Sequence, residues 1–169
     1  MELRELTEPY LPLVLNWRNA DHVRLFMYNE ELISWEEHQA WFERISNDPS
    51  RRVFLYVANQ KPLGLVQISQ INPQHKRCYW GFYIGEKEAP KGSGTMMGEL
   101  AIEKMFLELN MNKICAEVIE TNTVSLNFHH KLGFKQEGLF HQHMRKGNDY
   151  LNVIPMGLFR DKWTKGGNS

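Results

Sequence analysis

A mixed α/β fold around a mostly antiparallel sheet is the fold class the sequence predicts. Three observations predict it. Apolar and aromatic runs separated by turn residues fill positions 53–84. One long apolar stripe at helical spacing follows, from Met97 to Leu109. Strand-like segments then return after Lys113, with a single short helix among them.

The elements follow in order. Leu3 to Leu6 reads as a first strand, and residues 10–27 read as helical with Leu13, Val14 and Trp17 facing inward. Ser34-Trp35-Glu36-Glu37 is a capping box, in which the Ser34 hydroxyl takes the Glu37 amide and the Glu37 carboxylate returns to Ser34. The helix it starts carries Trp41, Phe42 and Ile45 on one side and ends at Asn47-Asp48-Pro49-Ser50. Val53–Ala58 and Leu63–Ile71 form a hairpin through Asn59-Gln60-Lys61-Pro62. Asn72 to His75 turns the chain into a third, aromatic strand, Cys78–Ile84. The polar loop Glu86–Gly94 opens the long helix, whose stripe is Met97, Ala101, Ile102, Met105, Phe106 and Leu109. Lys113–Val118 is a strand, and Thr123–Leu132 a short helix with Gly133 as its left-handed terminal residue. Phe134 onward returns to strands, with Lys146-Gly147-Asn148 as a hairpin turn.

Bulk properties narrow the function. The chain has 169 residues, of which 42% are hydrophobic, so one domain over 1–169 can build its own core. Lys+Arg and Asp+Glu balance at 20 each, which argues against a nucleic-acid or anionic-membrane binder. The two cysteines, Cys78 and Cys115, lie in apolar strands and form no CxxC pair. They are expected to be core residues, with no zinc site, no other metal and no disulfide framework, as suits a reducing cytoplasm. No run is apolar and long enough to span a bilayer, and Met1-Glu2-Leu3-Arg4-Glu5 lacks the apolar core of a signal peptide.

Chemistry concentrates in two places. Ala89-Pro90-Lys91-Gly92-Ser93-Gly94-Thr95 sits between the aromatic strand and the striped helix. Its glycines let the backbone approach a ligand, and the first helical amides have no intrahelical acceptor. Such a junction suits a pyrophosphate. Taken alone, GxG before a helix equally describes an ordinary capped helix, and neither a Walker A loop nor a full GxGxxG is present. The second place runs from Glu117-Val118-Ile119-Glu120-Thr121-Asn122 through Ser125-Leu126-Asn127-Phe128-His129-His130-Lys131-Leu132-Gly133-Phe134.

Together these segments resemble the GNAT superfamily of N-acetyltransferases. The first matches [RQ]xxGx[GA], except that Ala89 stands at the Arg/Gln position. The second matches a strand ending near Asn, then a helix reading S-x-x-x-Y-x-K-x-G-F, except that His129 stands at the Tyr position. Asn152 to Leu158 resembles the family's last strand, so the resemblance covers the whole chain. It implies an α/β GNAT fold of about seven strands and about four helices, with a splay between strands 4 and 5 that holds acetyl-CoA. It implies acetyl-CoA contacts from Phe82, Tyr83, Ile84, Lys91, Gly92, Ser93, Gly94, Thr95, Asn122 and Phe128, an amide near Phe82–Ile84 polarising the thioester oxygen, and direct transfer without an acyl-enzyme.

The departure at His129 bears on catalysis. An imidazole, with a reference pKa near ~6.5, can donate the proton that the leaving thiolate needs. Its competing reading is a helix-surface histidine, like His130. Glu117 could receive the proton of the substrate ammonium, with Glu120 as its rival on the opposite sheet face. Asn122 reads both as a contact at the reaction centre and as a helix N-terminal cap.

The N-terminal part bears on the acceptor. Trp17-Arg18-Asn19, Val23-Arg24, Met27, His38 and Trp41-Phe42 resemble the PseH branch of pseudaminic acid biosynthesis. That branch acetylates the 4-amino group of UDP-4-amino-4,6-dideoxy-N-acetyl-β-L-altrosamine, on the route to flagellin glycosylation. By that resemblance the partner is a small nucleotide-linked amino sugar, and homodimerisation stays open. Trp41, Tyr79, Trp80 and Tyr83 would stack on the base or sugar, and Arg18, Arg24 or His38 would meet the diphosphate. Read singly, Trp17, Trp41 and Trp80 are core residues. Two enzyme alternatives remain: a RimJ/RimL-like ribosomal-protein N-terminal acetyltransferase, or a spermidine acetyltransferase using Glu30-Glu31 and Glu36-Glu37. A third is a non-catalytic acyl-CoA-binding module.

Overall fold

The computed structural model describes residues 1–163; residues 164–169, which the single-domain expectation includes, lie outside the described residues. Eight strands form one sheet: β1 (Glu2–Glu5), β2 (Arg52–Ala58), β3 (Lys61–Asn72), β4 (Arg77–Ile84), β5 (Lys113–Ile119), β6 (Lys135–Gln136), β7 (Phe140–Lys146) and β8 (Asp149–Phe159). Their order is β1-β2-β3-β4-β5-β8-β6, with β7 also paired to β8. Five α-helices accompany them: α1 (Leu11–Asn19), α2 (Asp21–Arg24), α3 (Trp35–Ser46), α4 (Ser93–Glu103) and α5 (Thr123–Lys131). This is the mixed, mostly antiparallel sheet the sequence predicts, with one strand more than the seven expected.

Alternation along the strands builds two cores. In β2, Phe54, Tyr56 and Ala58 face one way, and Val53, Leu55 and Val57 the other. The first face packs under α4 with Met97, Ala101 and Ile102. The second packs under α1 and α3 with Leu11, Val14, Trp17 and Ile45. Both faces of the central strands are therefore covered.

The strand pairs are antiparallel except β4–β5. That parallel pair holds only for Arg77–Lys113, Cys78–Ile114 and Tyr79–Cys115. Beyond it β4 continues to Ile84 and β5 to Ile119, so the two strands diverge. The sheet is split where the resemblance implies a splay.

Several local readings are corrected. The helix expected over 10–27 is broken at Ala20, which is extended (φ −70°, ψ 138°). Asn19 ends it, because its side-chain amide is bound both ways to the main chain of Ile33. Residues 25–34 then form a loop over the sheet rather than helix. The long helix is α-helical only to Glu103, and Lys104–Glu108 is one wider π turn. That turn still buries both Met105 and Phe106. Elsewhere the signals hold. The capping box of α3 is complete, and Gly133 takes the left-handed conformation (φ 94°). Both cysteines are buried, and burial pushes the Cys78 thiol up to about 12.

Candidate active site

A cavity of about 820 Å³ opens where β4 and β5 part. Trp80–Ile84 of β4 and Ala116–Ile119 of β5 form its walls. Because the gap goes through the sheet, the cavity has two ends. On the α4 side it meets Gly94, Met97, Phe128 and His129. On the α1–α2 side it meets His22, Met27, Tyr28, Gln67, Ser69 and Glu117.

The α4 end begins with the loop before the helix. Gly92 is the N-cap residue in left-handed conformation (φ 91°), and no side chain caps the helix. The Ser93 amide is spent on the Pro90 carbonyl (3.0 Å), and the first regular helical bond runs from Met96 to Gly92 (3.1 Å). Helix geometry therefore leaves the Gly94 and Thr95 amides for a ligand anion, at the positive end of the helix dipole. This corrects one expectation: the Ser93 side chain is buried and its amide is used, so Ser93 offers the cofactor neither. Lys91 is exposed, and it does not line the cavity. Lys131, likewise exposed and outside the lining, donates from Nζ to Thr95 Oγ1 (3.3 Å), which sets an ammonium beside the Gly94 and Thr95 amides. An anion with a long apolar-tolerant arm fits here, with Phe82 and Phe128 (ring centroids 4.8 Å apart) along its path.

His129 closes this end from the core side. It is 3% exposed and packed against the rings of Trp80, Phe82, Phe128 and Phe134. Nδ1 donates to the Ser125 carbonyl (2.8 Å), while Nε2 has no protein partner. Burial lowers the pKa of the ring, against the smaller opposite pull of that carbonyl. At neutral pH the ring is therefore uncharged, with its proton on Nδ1 and a lone pair on Nε2. This corrects the expectation of a resting acid: Nε2 can give a proton to sulfur only after accepting one. It is also not a helix-surface histidine.

Asn122 serves as the cap of α5, its Oδ1 accepting from the Ser125 amide (3.1 Å), and it also lines the cavity. Its two readings coincide, and the cap leaves the Nδ2 amino group to face a ligand.

The opposite end is assembled from distant segments. Glu117 is exposed to the cavity and accepts from the Tyr28 hydroxyl (3.3 Å). Among the described residues it is the only carboxylate in the lining, and no Lys or Arg lines the cavity. Its rival Glu120 instead accepts from Asn152 Nδ2 (2.9 Å) outside the lining. Gln67 and Ser69 of β3 supply neutral polar groups.

Of the residues expected to bind the acceptor, Met27, Trp80 and Tyr83 line the cavity, whereas Arg18, Arg24, His38, Trp41 and Tyr79 do not. His38 is 3% exposed, with Nε2 at 3.0 Å from the Leu11 carbonyl and its ring stacked on Trp41. Both belong to the α1–α3 packing. Arg18 Nη2 donates to the Asn29 carbonyl (2.6 Å) and Arg24 Nη1 to that of Glu30 (2.9 Å), so both brace the 25–34 loop, while Arg18 Nη1 is buried with no partner among the described residues. Tyr79 lies before the splay, where β4 and β5 are still paired. Tyr28, Gln67, Ser69 and His22, which do line the cavity, carry no sequence signal because only the folded chain brings them together.

A helix N-terminus with free amides, a split sheet and a cavity lined from both faces of that sheet suit an acyltransferase. A family model described as an acetyltransferase (GNAT) domain matches residues 3–154, and the chain belongs to that family: it is an acetyl-CoA-dependent N-acetyltransferase. Among its relatives is the spermidine N(1)-acetyltransferase of Escherichia coli K12, 28% identical over 164 residues, which covers 96% of this chain and 88% of the relative. Another is the acetyltransferase PseH of Campylobacter jejuni 81-176, 27% identical over 130 residues, which covers 77% and 80%. The crystal structure of spermidine N-acetyltransferase from Vibrio cholerae in complex with CoA and spermine shares the fold with a TM-score of 0.88, at 24% identity over 95% of each chain. Among the described residues, no helix is long and apolar enough to cross a membrane, and no cluster of His, Cys, Asp or Glu could hold a metal.

Proposed function

We propose that the acceptor is the 4-amino group of a nucleotide-linked amino-dideoxy sugar. The observation that carries this reading is the charge of the acceptor end: one carboxylate, Glu117, among aromatic, apolar and neutral polar residues. A sugar amine brings one positive charge, which one carboxylate can offset. Its ring and methyl group suit Met27 and Phe26, and its hydroxyl and acetamido groups suit Gln67 and Ser69. A polyamine brings several ammonium groups, each costly to desolvate without a partner. The acidic pairs that would serve it are elsewhere: Glu37 caps α3, Glu30 is paired to Lys146 (2.5 Å), and Glu31 and Glu36 do not line the cavity. The nucleotide, for which the cavity has no cation, lies at or beyond the mouth.

In this reading the substrate ammonium first gives one proton to Glu117, and the amine nitrogen then bonds to the acetyl carbon as the carbon–sulfur bond breaks. A second proton passes from that nitrogen to His129 Nε2 and on to the departing sulfur, so CoA leaves as the thiol. Gly94, Thr95 and Lys131 hold the cofactor phosphates, and Phe82, Phe128 and Asn122 line its arm.

The second reading, spermidine acetylation, is favoured by the 28% identity to the E. coli enzyme over nearly the whole chain. A panel of amines assayed for CoA release separates the two. Turnover of 4-amino UDP-sugars, with spermidine and an N-terminal peptide inert, is the expected outcome. Equal turnover of spermidine or of the peptide overturns the sugar reading. Tight CoA binding with no turnover of any amine favours a binding module.

A further inference from the structure

Within the 25–34 loop, Tyr28 meets a carboxylate of β5 on the same face of the sheet. We propose that Tyr28 is a positioning residue for acetyl transfer, its hydroxyl holding the Glu117 carboxylate at the acceptor end. This rests on the reading of Glu117 as the group that receives the amine proton.

The geometry is direct. The Tyr28 hydroxyl donates to Glu117 Oε2 at 3.3 Å, and both residues line the cavity. Glu117 projects from β5 beyond the last β4–β5 pair, so no neighbouring strand on that side restricts its side chain. A glutamate with three free torsions samples many positions, and only some suit proton transfer. Because Glu117 is, among the described residues, the only carboxylate in the lining, whatever orients it orients that negative charge.

Tyr28 can do this because its loop is fixed by side chains spent on main-chain groups. Arg18 Nη2 donates to the carbonyl of Asn29, the next residue (2.6 Å). Arg24 Nη1 donates to the Glu30 carbonyl (2.9 Å), and Lys146 Nζ to the Leu25 carbonyl (2.7 Å). Asn19 binds the Ile33 amide and carbonyl, both at 2.9 Å. Five hydrogen bonds thus brace ten residues that have no regular structure. Burial, and then the Glu117 charge, push the Tyr28 phenol up to about 12, so it remains a protonated donor throughout the physiological range.

The test uses Tyr28→Phe, which keeps the ring and removes the donor. For the amine the panel identifies, kcat/KM is expected to fall about tenfold, the size of one hydrogen bond to a charged group, with the acetyl-CoA KM unchanged. In a Glu117→Gln background the same change is expected to cost nothing further, because the partner is already gone. Full additivity of the two losses, or an unchanged kcat/KM, overturns the proposal. A second readout needs no acceptor. In an alkaline ultraviolet titration, with Tyr28→Phe as the subtraction, Glu117→Gln is expected to lower the Tyr28 phenol from about 12 by the part the Glu117 charge and hydrogen bond contribute, while burial still holds it above the usual phenol value. A phenol that does not move refutes the pairing. If no amine is acetylated, the acceptor reading fails while this titration still decides the pair.

Discussion

The two ends of the cavity are built by different means. The cofactor end is largely backbone: the loop at Gly92, the free amides of Gly94 and Thr95, and the capped start of α5 at Asn122. Its parts come from two short runs of sequence. The acceptor end is side chains, and each comes from a different element: His22 from α2, Tyr28 from the loop, Gln67 and Ser69 from β3, Glu117 from β5. A backbone cradle for a fixed cofactor depends on local conformation. A side-chain surface for an acceptor depends on long-range contacts, and it can be altered without disturbing the cradle.

The largest effect that would sharpen this contrast is at His129, where the two ends meet. His129→Phe is expected to lower kcat on the order of a hundredfold, the usual scale for a proton-transfer group, with acetyl-CoA affinity intact. An unchanged kcat removes His129 from the chemistry. Next is Gly92→Val, which forces a β-branched residue to φ 91°. Nothing lies within 4 Å of a Cβ there, so the penalty is backbone strain of about 1–2 kcal/mol. Acetyl-CoA binding by calorimetry is expected to weaken by roughly tenfold, because the loop relaxes away from the left-handed conformation. Undiminished binding would mean that the cradle is not organised by this residue.

A smaller change probes the other end. A Cβ at Gly81, in the cavity wall, meets nothing within 4 Å. Gly81→Ala should therefore fold normally and raise the amine KM by roughly threefold, a fraction of 1 kcal/mol, while the acetyl-CoA KM stays put. A shift in both constants would show that the ends are not separable.

The smallest effect is on stability against pH. The folded-state pKa values of His129 and His38 are lowered, chiefly by burial. Their contribution is complete above the unfolded value near ~6.5 and is lost as pH falls through the lower folded values. Tm should accordingly drop between pH 7.5 and pH 5, and His129→Phe should flatten part of that drop. An equal slope in the variant would mean that His129 is not held neutral by the fold.

Legibility in the sequence followed the same division. The capping box at Ser34–Glu37 and the left-handed Gly133 are local signals that appear in the structure as read, and the stripe from Met97 packs into the core as read although its helix widens to a π turn after Glu103. The break at Ala20 escaped because its cause, the side-chain clasp between Asn19 and Ile33, joins residues 14 apart. Arg18, Arg24 and His38 are polar residues in a segment that resembles an acceptor site, so they looked available. They are instead held by main-chain carbonyls of the loop and of α1, with Arg18 Nη1 left buried and without a partner among the described residues. His129 stood at the position of a proton donor, but the tautomer that decides what it can donate is set by the Ser125 carbonyl and by four surrounding rings.

The sequence by itself determined the local conformations at the end proposed for acetyl-CoA, because a glycine turn, a helix start and an Asn cap are conformations that neighbouring residues impose. Only the tertiary structure decided the acceptor end. Charge, tautomer and side-chain availability there depend on contacts between segments as far apart as Tyr28 and Glu117, which no local pattern encodes.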